Sequence, residues 1–230
     1  MKLYNNLINE IKGNLSNSKV LSSGKLLDVS DKNSVIFLSD TAFELGGNNK
    51  PCVSSLAVSS DIEFSNSLHL LGNDLNEIKA DSPFAKFVFI QVENFENEQE
   101  TFNKIKELEA LRYHLNVDGF MTRASALNMR EQIRVSKKAI KSRVTFADYG
   151  QTLLNEYLKF SYVKSAEIYF VTDSCDFEKL NEIAKKIGQT TSALNHIFDN
   201  VMFDCSTCNL KEICDEVDGL KELHLKNVKK

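Results

Sequence analysis

Short apolar runs alternate along this chain with longer segments of helical periodicity, and this alternation constrains the fold more than any other feature. The clearest apolar run is FAKFVFIQVE, residues 84–93, which reads as a buried strand. Similar runs predict strands at residues 34–40, 52–61, 67–74 and 165–174, whereas the Gly- and Asn-rich residues 41–51 predict a loop.

Helices are predicted between these strands. Apolar residues recur every three or four positions in residues 3–15 and 102–115. Thr145 and Asp148 form a capping-box pattern at the start of a helix that continues to Leu158. A further helix is expected from Phe177 to about residue 186, with Gly188 ending or kinking it before a second helical piece.

Strands that alternate with helices of this length predict an α/β fold with a mixed or mostly parallel sheet sandwiched by helices. We expect residues 1–200 to form this α/β domain and residues 201–230 to form a C-terminal cysteine-rich appendage with a short helix. Because the cysteine residues follow the last segment with helical periodicity, we expect an appendage on one domain rather than a separate domain.

Composition excludes several classes of function. The net charge is −4, which argues against binding to nucleic acid, and the basic residues 134–143 are interpreted as a solvated helix face. The sequence has no apolar run long enough for a membrane span and no secretory signal, so a cytoplasmic protein without membrane contact is expected. The motifs of nucleotide-binding loops, nucleophile elbows and zinc proteases are missing from it.

The feature with chemical meaning is a cysteine segment, residues 203–217, which carries Cys205, Cys208 and Cys214 with the spacing C-x2-C-x5-C. Clustered thiols in a reducing compartment more often bind metal than form disulfides. A second pair of ligands, as in a zinc knuckle, does not follow, so three close cysteines favour an iron–sulfur cluster of the [4Fe-4S] type. Zinc is the alternative, and unligated thiols are a third interpretation.

A fourth ligand would come from elsewhere in the chain. Cys175 is the preferred candidate because it follows a predicted strand, where ligands are often presented. Cys52 and His224 are the other candidates, although Cys52 lies in an apolar run and reads as a small buried side chain.

Several segments together resemble a known family. They occur in this order: TAFELGGNNKPCVSS, LLGNDLNEI, FAKFVFIQVE, HLN, IRVSKKAIKSRVTFADYGQTLL and AEIYFVTD. Their order is similar to that in the Rossmann-like N-terminal portion of the β subunit of the carbon monoxide dehydrogenase/acetyl-CoA synthase complex. The resemblance covers about residues 41–173. The residues that match family segments are Glu44, Gly46, Gly47, Arg134, Ser136 and Lys137.

The resemblance implies a place in the CO and acetyl-CoA metabolism of an anaerobe, with carbon monoxide dehydrogenase or corrinoid protein subunits as partners. The family holds its nickel–iron A-cluster with a longer cysteine pattern, which includes a Gly-Leu-Cys-Gly segment that is missing from this sequence. The resemblance therefore leaves open whether the chain is an enzyme. It implies an iron–sulfur protein that acts as an accessory or partner-docking module, and the alternative is a non-catalytic scaffold or binding protein with structural zinc.

Overall fold

A computed structural model describes residues 2–30, 35–94, 98–125, 129–173, 175–198 and 208–228. Its strands are β1 (Lys19–Val20), β2 (Val29–Ser30), β3 (Thr41–Leu45), β4 (Cys52–Ser59), β5 (Leu68–Leu71), β6 (Phe84–Val92), β7 (Asn116–Val117), β8 (Phe120–Ser125), β9 (Arg130–Ser136) and β10 (Val163–Val171). Its α-helices are α1 (Asn5–Asn14), α2 (Glu98–His114), α3 (Lys137–Lys141), α4 (Phe146–Leu158), α5 (Phe177–Phe198), α6 (Lys211–Glu216) and α7 (Leu220–Val228).

The main sheet has the strand order β1-β5-β10-β6-β4. The pairs β5–β10 and β4–β6 are parallel, whereas β1–β5 and β6–β10 are antiparallel. Every residue of β4 and β6 is buried, which is why these strands read as nearly continuous apolar runs. The predicted α/β fold with a mixed sheet is confirmed.

Helices cover both faces of the main sheet. Successive side chains of a strand point to opposite faces, so one strand can contact helices on both sides. On one face Phe170 of β10 packs against α4 through Phe146, with ring centroids 4.8 Å apart. On the other face Glu167 of the same strand pairs with Lys12 of α1 at 2.7 Å. The capping box of Thr145 and Asp148 forms at the start of α4, as predicted.

A smaller antiparallel sheet, β3-β9-β8, corrects two of the predictions. Residues 41–51 were expected to be a loop, but Thr41–Leu45 is strand β3, because Phe43 and Leu45 bury their side chains when β3 pairs with β9. The strand ends at Leu45, and the turn begins at Gly46, whose φ of 68° favours glycine. The strand predicted at residues 34–40 is wrong. Residues 35–37 lie outside the sheets and Leu38–Asp40 is a 3₁₀ turn.

Helix α5 continues through Gly188, so the predicted break there is wrong. Its buried face continues on both sides of the glycine, and this packing stabilises the helix against the weak helix propensity of one residue. A Cβ atom at position 188 would lie 2.7 Å from the Met129 sulfur. The glycine therefore allows Met129 to approach the helix closely.

The C-terminal helices α6 and α7 lie against α5. Leu210, Ile213 and Leu220 are buried and belong to the same hydrophobic core as the sheet. Lys186 of α5 pairs with Glu216 of α6 at 2.8 Å. The division of the chain at residue 200 stays a prediction. Within the described residues, no helix has both the length and the apolar character that crossing a bilayer requires.

Candidate functional site

The cysteine segment is described only from Cys208 onward, and Cys205 lies outside the described residues. Cys208 is half-buried just before α6, and its sulfur accepts a hydrogen bond from the Leu210 amide at 3.5 Å. Cys214 lies within α6, half-buried and packed against the core. Backbone N–H groups that donate hydrogen bonds to cysteine sulfur are among the interactions that set the reduction potential of an iron–sulfur cluster. The donor chemistry of this segment therefore fits a cluster, and it fits zinc as well.

The three candidates for a fourth ligand lie on different elements. Cys175 is half-buried between β10 and α5, and burial, with the nearby Asp176 and Asp173, raises the pKa of its thiol to about 11. Cys52 is buried at the start of β4, and burial raises its pKa as well. His224 is half-buried on α7. A raised pKa keeps an unligated thiol protonated, whereas a metal would have to displace that proton.

Among the residues that the structure describes, no three His, Cys, Asp or Glu side chains form a group that could hold a metal ion. Cys175, Cys208 and Cys214 therefore make no such group by themselves. The metal site predicted from Cys205, Cys208, Cys214 and Cys175 stays a prediction.

The residues that match the family segments come together at β3, β9 and α3. Glu44 and Arg134 are directly opposite each other in the β3–β9 ladder, and their side chains form an ion pair at 2.7 Å. Gly47 leaves room for this carboxylate, because a Cβ atom there would lie 2.2 Å from an oxygen of Glu44. Ser136 accepts the Ala139 amide and caps α3. Their contacts give these residues a structural role in joining β3 to β9.

Arg134 and Lys137 also hold the segment before β3. Arg134 donates from Nη1 to the Ile36 carbonyl at 2.7 Å, and Lys137 donates from Nζ to the Ser39 carbonyl at 2.7 Å. The Phe37 carbonyl accepts from the Thr41 hydroxyl at 2.8 Å and from the Asp40 amide at 3.0 Å. The backbone of this segment is therefore held at the carbonyls of Ile36, Phe37 and Ser39.

Ile36 of this segment is buried, whereas the apolar side chains on either side of it point into solvent. Phe37 is 66% exposed, Leu38 is 76% exposed, and Val35 is also exposed. We call Val35, Phe37 and Leu38 the apolar tip. A cleft of about 590 Å³ beside it is lined by Val35, Ile36 and the lysines 137, 138 and 141. A cluster of exposed apolar side chains on a held backbone is typical of an interaction surface.

A second arrangement lies inside the protein, where a buried charge cluster consists of Ser54, Lys86, Arg112 and Glu131. Lys86 of β6 forms an ion pair with Glu131 of β9, and both side chains are almost fully buried. The Ser54 hydroxyl donates to the other oxygen of Glu131 at 3.1 Å, and Arg112 of α2 places its Nε 3.7 Å from that oxygen. One carboxylate thus faces two buried cations.

The charges in this cluster shift each other's pKa values. Burial alone would raise the pKa of Glu131, but the positive charges of Lys86 and Arg112 bring it below its ordinary value. Burial lowers the pKa of Lys86, and the attraction of Glu131 opposes this change. Glu131 is therefore ionised at neutral pH, which keeps the cluster together.

Sequence reasoning missed this cluster. A lysine inside the apolar run FAKFVFIQVE is unusual, because a buried lysine needs a partner of opposite charge. That signal could have indicated a buried ion pair. The partner, Glu131, is 45 positions away in the sequence, so only the fold identifies it.

The comparisons with known proteins agree with the family segments described above. No curated protein matches the chain. The sequence matches the family described as "CO dehydrogenase/acetyl-CoA synthase complex beta subunit" over residues 33–177. This match contains the apolar tip and the buried charge cluster, and it ends before Cys205. The chain belongs to the CO dehydrogenase/acetyl-CoA synthase complex beta subunit family.

Proposed function

We propose that this protein is a partner-docking module in CO and acetyl-CoA metabolism, and that it carries an iron–sulfur cluster on its cysteine segment. The observation that carries the docking role is the apolar tip. Phe37 and Leu38 are exposed on a backbone whose carbonyls are held by Arg134, Lys137 and Thr41.

The held backbone favours binding because association must otherwise order the surface that makes contact. Exposed aromatic and aliphatic side chains that are already in position can enter a pocket of the partner with little further loss of conformational entropy. Lys137, Lys138 and Lys141 lie beside the tip, so a complementary partner surface is apolar at its centre and acidic at its edge. The partners that the family description suggests are subunits of its complex, and we propose carbon monoxide dehydrogenase or a corrinoid protein.

Cys205, Cys208 and Cys214 would hold the cluster, with Cys175 as the proposed fourth ligand. A bound cluster would store or transfer single electrons. In this proposal the Leu210 amide, which donates to the Cys208 sulfur, stabilises the negative charge on that thiolate. Zinc in the same segment would instead make the chain a non-catalytic scaffold.

The docking proposal is tested with Phe37→Asp and Leu38→Asp in one chain. We expect at least a tenfold loss of affinity for purified carbon monoxide dehydrogenase or corrinoid protein, measured by biolayer interferometry, because a hot-spot residue contributes at least about 2 kcal/mol. Val20→Asp is the matched control, since Val20 is also 66% exposed but lies on β1. Equal affinities of the double variant and the wild-type chain would reject the apolar tip as the docking surface, and so would the absence of binding to either protein.

A further inference from the structure

A pocket between α2 and α5 lies outside the functions described so far. Its volume is about 520 Å³, within the range of small-molecule sites. Glu109, Arg112 and Tyr113 line it from α2, and Lys185 and Ser192 are among the α5 residues that line it. Arg112 thus belongs both to the buried charge cluster and to the wall of this pocket.

The guanidinium of Arg112 uses few of its hydrogen-bonding groups. Its side chain is only 4% exposed, and in the described part of the chain its one hydrogen bond runs from Nη2 to the Ser54 hydroxyl at 3.3 Å. Its Nε is buried and faces an oxygen of Glu131 at 3.7 Å, too far for a hydrogen bond. An arginine carries five N–H donors, and leaving a buried charged donor without an acceptor is costly. Nη1 makes no hydrogen bond among the described residues, so a ligand in the pocket could supply an acceptor to it.

The charges around the pocket favour an anion. Lys86 and Arg112 carry two positive charges against the single negative charge of Glu131. Glu109 on the same wall makes no ion pair among the described residues, and burial raises the pKa of its carboxyl, although Arg112 opposes this. Lys185 is exposed at the rim and also makes no ion pair there. Counting Lys86, Arg112 and Lys185 as positive and Glu131 and Glu109 as negative leaves one positive charge, which matches a monovalent anion better than a divalent one.

We propose that this pocket binds the carboxylate of a small organic acid against the guanidinium of Arg112. The planar guanidinium matches the geometry of a carboxylate, which can accept two parallel hydrogen bonds. The Tyr113 ring and the Met129 side chain lie on the pocket wall and provide apolar contacts for the organic part of the ligand. The volume leaves room for a body larger than the carboxylate itself.

The test is isothermal titration calorimetry of the full chain with butyrate and with benzoate, and with inorganic phosphate at the same ionic strength. We expect saturable binding of at least one carboxylate and at least tenfold weaker binding of phosphate. Arg112→Lys keeps a positive charge beside Glu131 but removes the planar fork, and it should weaken carboxylate binding at least tenfold.

Two further variants separate binding from folding. Ser192→Trp places a large side chain at an exposed position of the pocket rim, without touching the buried charge cluster, and should also weaken binding at least tenfold. Lys185→Gln should weaken binding several-fold, whereas Lys179→Gln, an exposed lysine of α5 outside this pocket, should not change it. The proposal is overturned if neither carboxylate binds, if phosphate binds as tightly, or if Ser192→Trp binds as well as the wild-type chain.

Discussion

At the scale of single residues, the buried charge cluster brings three charged side chains together inside the protein. Glu131 is 1% exposed and faces both Lys86 and Arg112. Removing one charge of a buried pair leaves the opposite charge without compensation in a medium of low dielectric constant. Glu131 is the most sensitive member, because its loss leaves two cations facing each other.

Glu131→Gln should lower the free energy of unfolding by about 3–5 kcal/mol at neutral pH, measured by urea denaturation. The matched control is Asp118→Asn, which removes the exposed ion pair between Asp118 and Lys138 and should leave the midpoint unchanged within error. A Glu131→Gln chain as stable as the wild type would show that the charges of the cluster are not coupled.

The same residue predicts a dependence on pH. The pKa of Glu131 in the folded chain lies below its ordinary value of 4.5, so its contribution is complete above that value and is lost as the pH falls through the folded pKa. On acidification below 4.5 the wild-type chain should therefore lose more stability than Glu131→Gln. Parallel stability curves for the two chains would contradict this.

At the scale of elements, close packing decides where a helix lies on the sheet. Gly150 of α4 faces the sheet, and a Cβ atom there would lie 2.9 Å from the Phe170 ring and 3.0 Å from the Leu68 side chain. Gly13 of α1 has no atom within 4 Å of such a position. The two helical glycines thus differ in the space around them.

Gly150→Ala should destabilise the protein by about 1–3 kcal/mol, because overpacking outweighs the gain in helix propensity. Gly13→Ala should stabilise it by up to about 1 kcal/mol, because only the propensity changes. Thermal denaturation of both variants measures the difference. A stabilising Gly150→Ala would show that α4 can move away from the sheet without cost.

The cysteine segment gives a second prediction at this scale. Protein purified without oxygen should contain iron and acid-labile sulfide and absorb visible light, and Cys208→Ser should remove all three properties. Cys52→Ala, which changes a buried cysteine outside the segment, should keep them. Stoichiometric zinc without sulfide would contradict the cluster and support the zinc alternative. Metal-free protein would contradict both.

At the scale of the whole molecule, the C-terminal helices add buried apolar surface to the α/β body. Leu210, Ile213 and Leu220 are buried, and each contributes about 1.5–3 kcal/mol. Because α6 and α7 pack against α5, their loss would expose part of α5 but would remove no strand of the main sheet.

Truncation after Asn200 should therefore leave a single cooperative unfolding transition, shifted to a lower midpoint by the loss of the three buried side chains. Circular dichroism and fluorescence should report the same transition in the truncated chain. Transitions that do not coincide, or a chain without near-ultraviolet signal, would show that residues 201–230 belong to the α/β domain.

Local patterns in the sequence determined most of the elements of this protein. Structure could be predicted where it depends on near neighbours along the chain. This holds for residues 84–93, the Thr145 capping box and the helical repeat of residues 102–115. The order of the family segments likewise identified the family, because that order can be observed in the sequence without the structure.

Only the tertiary structure decided which apolar runs are buried and which charges meet. Residues 34–40 were predicted to be a strand, but β9 pairs with β3 instead, which leaves Phe37 and Leu38 exposed. Glu131 pairs with Lys86, which is 45 positions away in the sequence, and Arg112 donates to Ser54, which is 58 positions away. Strand pairing and burial depend on contacts between distant segments, and a periodicity that extends over a few residues carries no information about those contacts.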